Sequence, residues 1–242
     1  MLVERVEQNP IHVETRYVAF CDILGFSSRI LSDFDKTLEV YSEFGRSIYN
    51  LPPLGVQVTM YSDAILVVSE TLDKALVAIQ ALCFVALSRR FMVRGALTRG
   101  KYWEQRIGNH FLVASDALVQ AVQLEKTIGI PAVVVADDVE IPDGYWLSRF
   151  EQGRFVTPLL HFDARNIVNP FGKYWFKSAQ IRANELMAES PAHADKYRWF
   201  LSLYDAVEQN YPLIPQDVLQ RFIDAGILRP NGERSQDRLE PG

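Results

Sequence analysis

Apolar residues along this chain alternate between two rhythms, and the changes of rhythm mark its elements. Residues 16–24 form a continuous apolar run, which suits a central strand buried on both faces. Gly25 breaks it. From Ser27 to about Tyr49, apolar residues return every three or four positions (Ile30, Phe34, Leu38, Tyr41, Phe44, Ile48), predicting one amphipathic helix that Leu51-Pro-Pro-Leu-Gly55 ends. Val56–Tyr61 and Ala64–Val68 are short β-rich runs joined by Ser62-Asp63, the pattern of a tight hairpin. Leu72, Leu76, Ile79, Cys83 and Leu87 mark a second helix, and Phe91–Thr98 a further strand.

The order β, α, β, β, α, β predicts an α+β fold with a ferredoxin-like sheet and helices on one face. A strand near Gly108–Val113, a helix through Ala114, Ala117, Leu118, Ala121 and Leu124, and a strand at Ala132–Ala136 extend it. Arg154–Phe162 is expected at the sheet edge. After Pro170 the rhythm is helical throughout: Lys177–Glu189, Ala194–Gln209 and Gln216–Ala225. The expected organisation is a domain over 1–165, a C-terminal helical appendage over 166–228 and a disordered tail over 229–242.

Composition narrows the partners. The 242 residues are 48% hydrophobic, enough for a packed core, and the net charge of −5 without a basic block argues against nucleic acid or an anionic membrane. No apolar run reaches the length of a membrane span, and the charged N-terminus is unlike a signal peptide. The two cysteines, Cys21 and Cys83, fall in apolar patterns and read as reduced thiols, so a cytoplasmic location is expected.

The candidate chemistry is a pair of aspartates. Asp22 ends the first apolar strand and Asp63 sits at the hairpin turn, where a buried carboxylate is costly unless a cation or hydrogen bonds compensate it. Each has a plain alternative: Asp22 as a helix cap, Asp63 as a turn residue. Together they can hold two Mg²⁺ or Mn²⁺ ions, which activate a hydroxyl and neutralise a leaving phosphate chain. The N–H groups of Leu24, Gly25, Phe26 and Ser27, between strand and helix, are the candidate phosphate donors. Arg94, in an apolar strand beside Gly95, is the candidate phosphate cation, with a salt bridge to a structural carboxylate as its alternative. Histidines 12, 110, 161 and 193 have no metal-ligand spacing, and Asp137-Asp138 reads as an exposed turn.

Phe20-Cys-Asp-Ile-Leu-Gly-Phe-Ser27, Tyr61-Ser-Asp63, Arg94-Gly-Ala-Leu-Thr-Arg-Gly100 and Ala117–Glu125 resemble successive blocks of class III nucleotidyl cyclase catalytic domains. The resemblance covers roughly residues 14–165. It implies metal ligation by Asp22, Asp63 and the Ile23 carbonyl, and a two-fold homodimer with composite sites. The chain departs from the purine-cyclase pattern: Thr59 and Leu112 stand at the base-reading positions, and Val119 and Gln123 where an Asn and an Arg are usual. This pattern is similar to the pyrimidine cyclases of bacterial Pycsar anti-phage systems, which make cyclic UMP or cyclic CMP for a separate effector protein. The expected reaction is therefore UTP, or alternatively CTP, to its 3′,5′-cyclic monophosphate, with a catalytically dead nucleotide-binding dimerisation module as the other alternative. Thr59 can hydrogen-bond a uracil edge, and Tyr49 or Tyr61 can fill the space of a purine ring, although a tyrosine at a helix end, as Tyr49 is, is more often core than gate.

Overall fold

The structure, a computed structural model, describes residues 12–49, 55–147, 149–151, 154–171, 176–209 and 212–229. Its centre is strand β1 (Glu14–Ile23), held between two antiparallel neighbours, β3 (Ala64–Ser69) and β4 (Val93–Ile107). β2 (Val56–Tyr61) pairs with β3 across the Ser62-Asp63 turn, so the four strands run β2-β3-β1-β4 in the predicted ferredoxin-like order. The sheet continues through β6 (Val133–Val135), parallel to β4, then β10 (Arg165–Val168) and the edge strand β9 (Leu159–Phe162). β5 (His110–Ser115) pairs only with the distal half of β4, making a two-stranded arm, and β7 (Arg149–Glu151) and β8 (Arg154–Val156) pair apart from the main sheet.

Alternation along β1 divides the core. Ala19, Cys21 and Ile23 face one side, packed with Phe44 of α2 (Phe34–Tyr49), Leu76 and Ile79 of α3 (Leu72–Ser88) and Phe222 of α7 (Gln216–Asp224). Val18 faces the other, against Ala117 of α4 (Asp116–Glu125). Further along that second side, Ala96, Val134 and Ile167 pack against α5 (Phe176–Glu189) and α6 (Ala194–Glu208). The α+β class and the C-terminal helices agree with the sequence, but helices cover both faces rather than one. The strands beyond β4 bury apolar side chains on both sides, so both sides need a cover.

Two other expectations change. The helix predicted over Ser27–Tyr49 is two helices, α1 (Phe26–Ser32) and α2, because Asp33 is extended (φ −152°, ψ 90°) and its carboxylate accepts the Lys36 N–H at 3.1 Å. That is an N-cap, which begins a new helix. The expected domain boundary at 165/166 falls inside β10, a strand of the main sheet. The tail over 230–242 lies outside the described residues, as do Tyr174 and Trp175, while Phe176 stacks on Tyr204 within the helical layer at 4.2 Å between ring centroids. Asp137-Asp138 forms the expected turn. No helix among the described residues is long and apolar enough to cross a membrane.

Gly95 is where β4 presses most tightly on β1. A Cβ there would lie 2.6 Å from the Phe20 carbonyl oxygen and 2.7 Å from Cys21 Sγ, both in the centre of the sheet. Backbone cannot yield as a side-chain tip can, so Gly95→Ala is expected to cost at least about 1–3 kcal/mol. Urea unfolding midpoints of the two proteins check it.

Candidate functional site

Strand register brings the two aspartates together. Asp22 lies opposite Ala64, the residue after Asp63, and the Ile23 N–H donates to the Asp63 carbonyl oxygen at 3.0 Å. Ser62 takes a left-handed conformation (φ 55°), which lets the hairpin reverse in two residues and sets Asp63 beside the end of β1. The turn is braced twice more: Tyr41 donates its hydroxyl to the Ser62 carbonyl at 2.6 Å, and Ser27 Oγ donates to Asp63 Oδ2 at 3.1 Å. Three elements far apart in sequence thus hold one carboxylate.

Asp22 is held from the opposite side. Its Oδ2 accepts from Arg94 Nε at 3.2 Å, and the same Nε lies 2.7 Å from Glu125 Oε1 on α4. That second contact is an ion pair without hydrogen-bond geometry, because Oε1 has no hydrogen-bond partner among the described residues although Glu125 is only 5% exposed. Arg94 also donates to the Ile128 carbonyl at 3.4 Å. Burial pushes the Asp22 carboxyl above its ordinary range; the Arg94 charge opposes that shift, and the Asp63 and Glu125 charges reinforce it. Arg94 is shared between Asp22 and Glu125, and the Asp63 charge acts on Asp22 as well, so the site is short of positive charge.

That imbalance fits a divalent cation. Asp22, Asp63 and the Ile23 carbonyl offer hard oxygen donors of the kind Mg²⁺ and Mn²⁺ prefer. Among the described residues there is no group of three His, Cys, Asp or Glu side chains around a common point, so the remaining ligands would be main chain, water or substrate.

The phosphate donors are narrower than the sequence suggests. Leu24 cannot serve, since its N–H is engaged by the Met92 carbonyl at 2.9 Å, finishing the β1 to β4 contact. Gly25 adopts φ 74° and turns the chain into α1, so Phe26, Ser27 and Ser28 open the helix with N–H groups that no carbonyl inside it can reach.

The base-selectivity candidates lie apart. Thr59 of β2 pairs with Leu66, itself opposite Phe20, and therefore shares the sheet face of Asp22; Tyr61, opposite Ala64, shares it too and is 83% exposed. Tyr49 does not join them. It ends α2, which packs on the other face, and stands 88% exposed two turns beyond Tyr41, roughly 12 Å along the helix. Leu112 faces Gln105 on the β4–β5 arm, roughly 36 Å along the strand from Arg94. Within one chain it is not brought to Asp22. Exposed Val119 and Gln123 lie on the outer side of α4, away from the buried Ala117, Ala121 and Glu125. Of the other cations, Arg99 stacks over Tyr17 and Arg106 over Phe111.

Glu125 is the residue that sequence reasoning missed. Its signal is its spacing: it follows Ala117 by two turns and Ala121 by one, so it had to lie on the buried stripe of α4.

No protein-family model matches the chain, and no curated protein does. Among solved structures it is similar to the adenylyl cyclase CyaB from P. aeruginosa (12% identity, TM-score 0.49, covering 69% of this chain and 98% of that one). It is also similar to the guanylyl cyclase Cya2 (15%, 0.43, 69% and 98%) and to an adenylate/guanylate cyclase/hydrolase from Silicibacter pomeroyi (16%, 0.39, 65% and 95%).

The raised Asp22 carboxyl has a signature. Folded protein holds a proton there that the unfolded chain has already lost, so the contribution of Asp22 to stability falls as pH rises from the ordinary carboxylate value through the raised one. Asp22→Asn removes that dependence. Urea midpoints measured from acid to neutral pH should show wild type losing stability relative to the variant across that window; parallel curves would contradict the shift.

Proposed function

We propose that the chain is a nucleotidyl cyclase that closes UTP to 3′,5′-cyclic UMP with release of pyrophosphate, in a two-metal reaction. The observation that carries this reading is the 3.0 Å hydrogen bond from Ile23 to Asp63, which fastens the two carboxylates side by side at the rim of the sheet. Mg²⁺ or Mn²⁺ ions, two per site and held by Asp22, Asp63 and the Ile23 carbonyl, would supply the positive charge that lowers the barrier to phosphoryl transfer.

The ribose 3′-hydroxyl attacks the α-phosphorus of the same nucleotide. The bond from oxygen to phosphorus forms as the bond to the β-phosphate bridging oxygen breaks; the hydroxyl proton leaves to solvent, and the electron pair departs with pyrophosphate. The N–H groups of Gly25, Phe26 and Ser27 face phosphate oxygens, Ser27 Oγ orients the Asp63 carboxylate, and Arg94 holds Asp22 in place. Thr59, on the face of Asp22, is suited to a compact pyrimidine edge, and exposed Tyr61 narrows the room for a purine. Leu112 lies far along the β4–β5 arm and Val119 and Gln123 face outward from α4, so on this reading they line the pocket of a second copy, in a homodimer with composite sites. On this reading the product is a cytoplasmic second messenger, read by a separate effector protein in a bacterial anti-phage response of the Pycsar kind.

CTP is the alternative substrate. The dead-module reading has one observation in its favour, the Arg94 guanidinium already paired with Asp22. Nucleotide would then bind without turnover.

Purified protein incubated with each ribonucleoside triphosphate and Mn²⁺ is expected to give cyclic UMP and pyrophosphate from UTP, read by mass. Cyclic CMP alone would move the assignment to CTP, cyclic AMP alone would overturn the pyrimidine reading, and no cyclic product from any would sink the enzyme reading. Asp22→Ala and Asp63→Ala should each lower turnover by at least about 10²–10³-fold while leaving the protein folded by circular dichroism. Mn²⁺ should raise the melting temperature of wild type and not of either variant.

A further inference from the structure

Beside α1 lies a cavity of about 640 Å³ that Asp22, Ser27 and Asp63 do not line and that shares only Gly25 with the reaction above. One wall is α1 and α2, another is the Arg89–Phe91 turn after α3, and the third is the elbow between α5 and α6. Its size is that of a small-molecule site.

The charges in it are unequally matched. Arg90 pairs with Glu189 across the cavity, Arg89 pairs with Glu43, and Asp33 is engaged as the cap of α2. Arg29 and Lys36 remain, with no carboxylate in ion-pair reach among the described residues. Arg29 is half-buried and fixed rather than floppy: one guanidinium nitrogen donates to the Arg90 carbonyl at 2.8 Å, and the group lies over the Phe91 ring at 5.4 Å. Burial pulls its pKa down; Tyr197 opposes that shift and Arg90 adds to it, so the charged guanidinium sits at a net cost. An arginine held this way is prepared to receive an anion.

The rest of the lining narrows the class. The Ser28 hydroxyl lines the same cavity, while that of Ser32 already donates to the Arg29 carbonyl at 3.0 Å; with the nitrogens of Arg29 and Lys36, Ser28 gives more donors than a carboxylate's two oxygens can use, which suits a phosphate. Leu24, Val40, Phe91 and Tyr197 supply apolar wall, which inorganic phosphate alone would leave wet. We propose that this cavity binds a small organic phosphate with an apolar or aromatic body, its phosphate on Arg29 and Lys36 and its body against the apolar wall at Val40. The site lies against the phosphate loop's back: a Cβ on Gly25 would be 3.9 Å from His193 Cδ2 in the elbow. An occupant there bridges α1 and the α5–α6 layer.

The proposal stands on the cavity alone and is tested without nucleotide or metal. Phenyl phosphate is titrated into the full chain in EDTA by calorimetry, with phenol as control. Saturable binding of phenyl phosphate and none of phenol is expected, with Arg29→Met and Lys36→Met each weakening it at least about tenfold and Asp63→Asn leaving it unchanged. Lys36 is exposed, so its variant remains informative if Arg29→Met does not fold. No saturable binding, binding untouched by Lys36→Met, or binding lost in Asp63→Asn would each overturn the proposal. None of these outcomes bears on cyclic UMP formation, which is scored separately.

Discussion

A carboxylate carried to the rim of a buried strand needs positive charge, and the centre of this molecule is arranged around that need at Asp22. β1 delivers it there because antiparallel partners hold its backbone on both sides from Tyr17 to Asp22. The same pairing delivers Asp63 from β3 and Arg94 from β4, since Asp22 is opposite Ala64 on one side and Arg94 on the other. α4 then closes the arrangement with Glu125, buried behind Arg94. One guanidinium pairs with two carboxylates, with Asp63 beside Asp22, and burial holds the Asp22 proton more tightly than usual. A protein interested only in stability would gain from replacing such a cluster with apolar side chains.

The packing around this cluster explains why the C-terminal helices are more than an addition. Strands β4, β6 and β10 bury apolar residues on both faces, so α5 and α6 complete one core while α7 joins the other. Their elbow reaches back over α1, bringing His193 against Gly25 and Tyr197 toward Arg29. The short helix that follows Asp22 is therefore gripped from two directions: by Asp63 through Ser27, and by the cavity behind it.

The strand, hairpin and helix patterns were legible because each is a local rule, visible within ten or twenty residues. Asp22 after its apolar run and Ser62-Asp63 between two β-rich runs are examples, and their proximity followed from the β, α, β, β, α, β order. Other features hid because they depend on partners distant in sequence. Leu24 looked like a phosphate donor until Met92 took its N–H. Tyr49 looked like a gate until α2 packed on the face away from Asp22. The break at Asp33 was in principle readable, an N-cap residue three positions before Lys36, but the apolar rhythm runs through it and masks it. Glu125 was readable too, as a charge on a buried stripe.

By itself, the sequence determined the α+β class, the strand and helix order up to β4 with α1 and α2 read as one helix, and the two aspartates as the candidate chemistry, since hydrophobic period and turn chemistry are encoded locally. Only tertiary structure decided that Arg94 would stand between Asp22 and Glu125, and that helices would cover both faces. It also decided that Arg29 would line a cavity without a counter-charge among the described residues. Those outcomes rest on which charges and surfaces meet across the core, and long-range strand pairing sets such meetings at sequence separations no local pattern records.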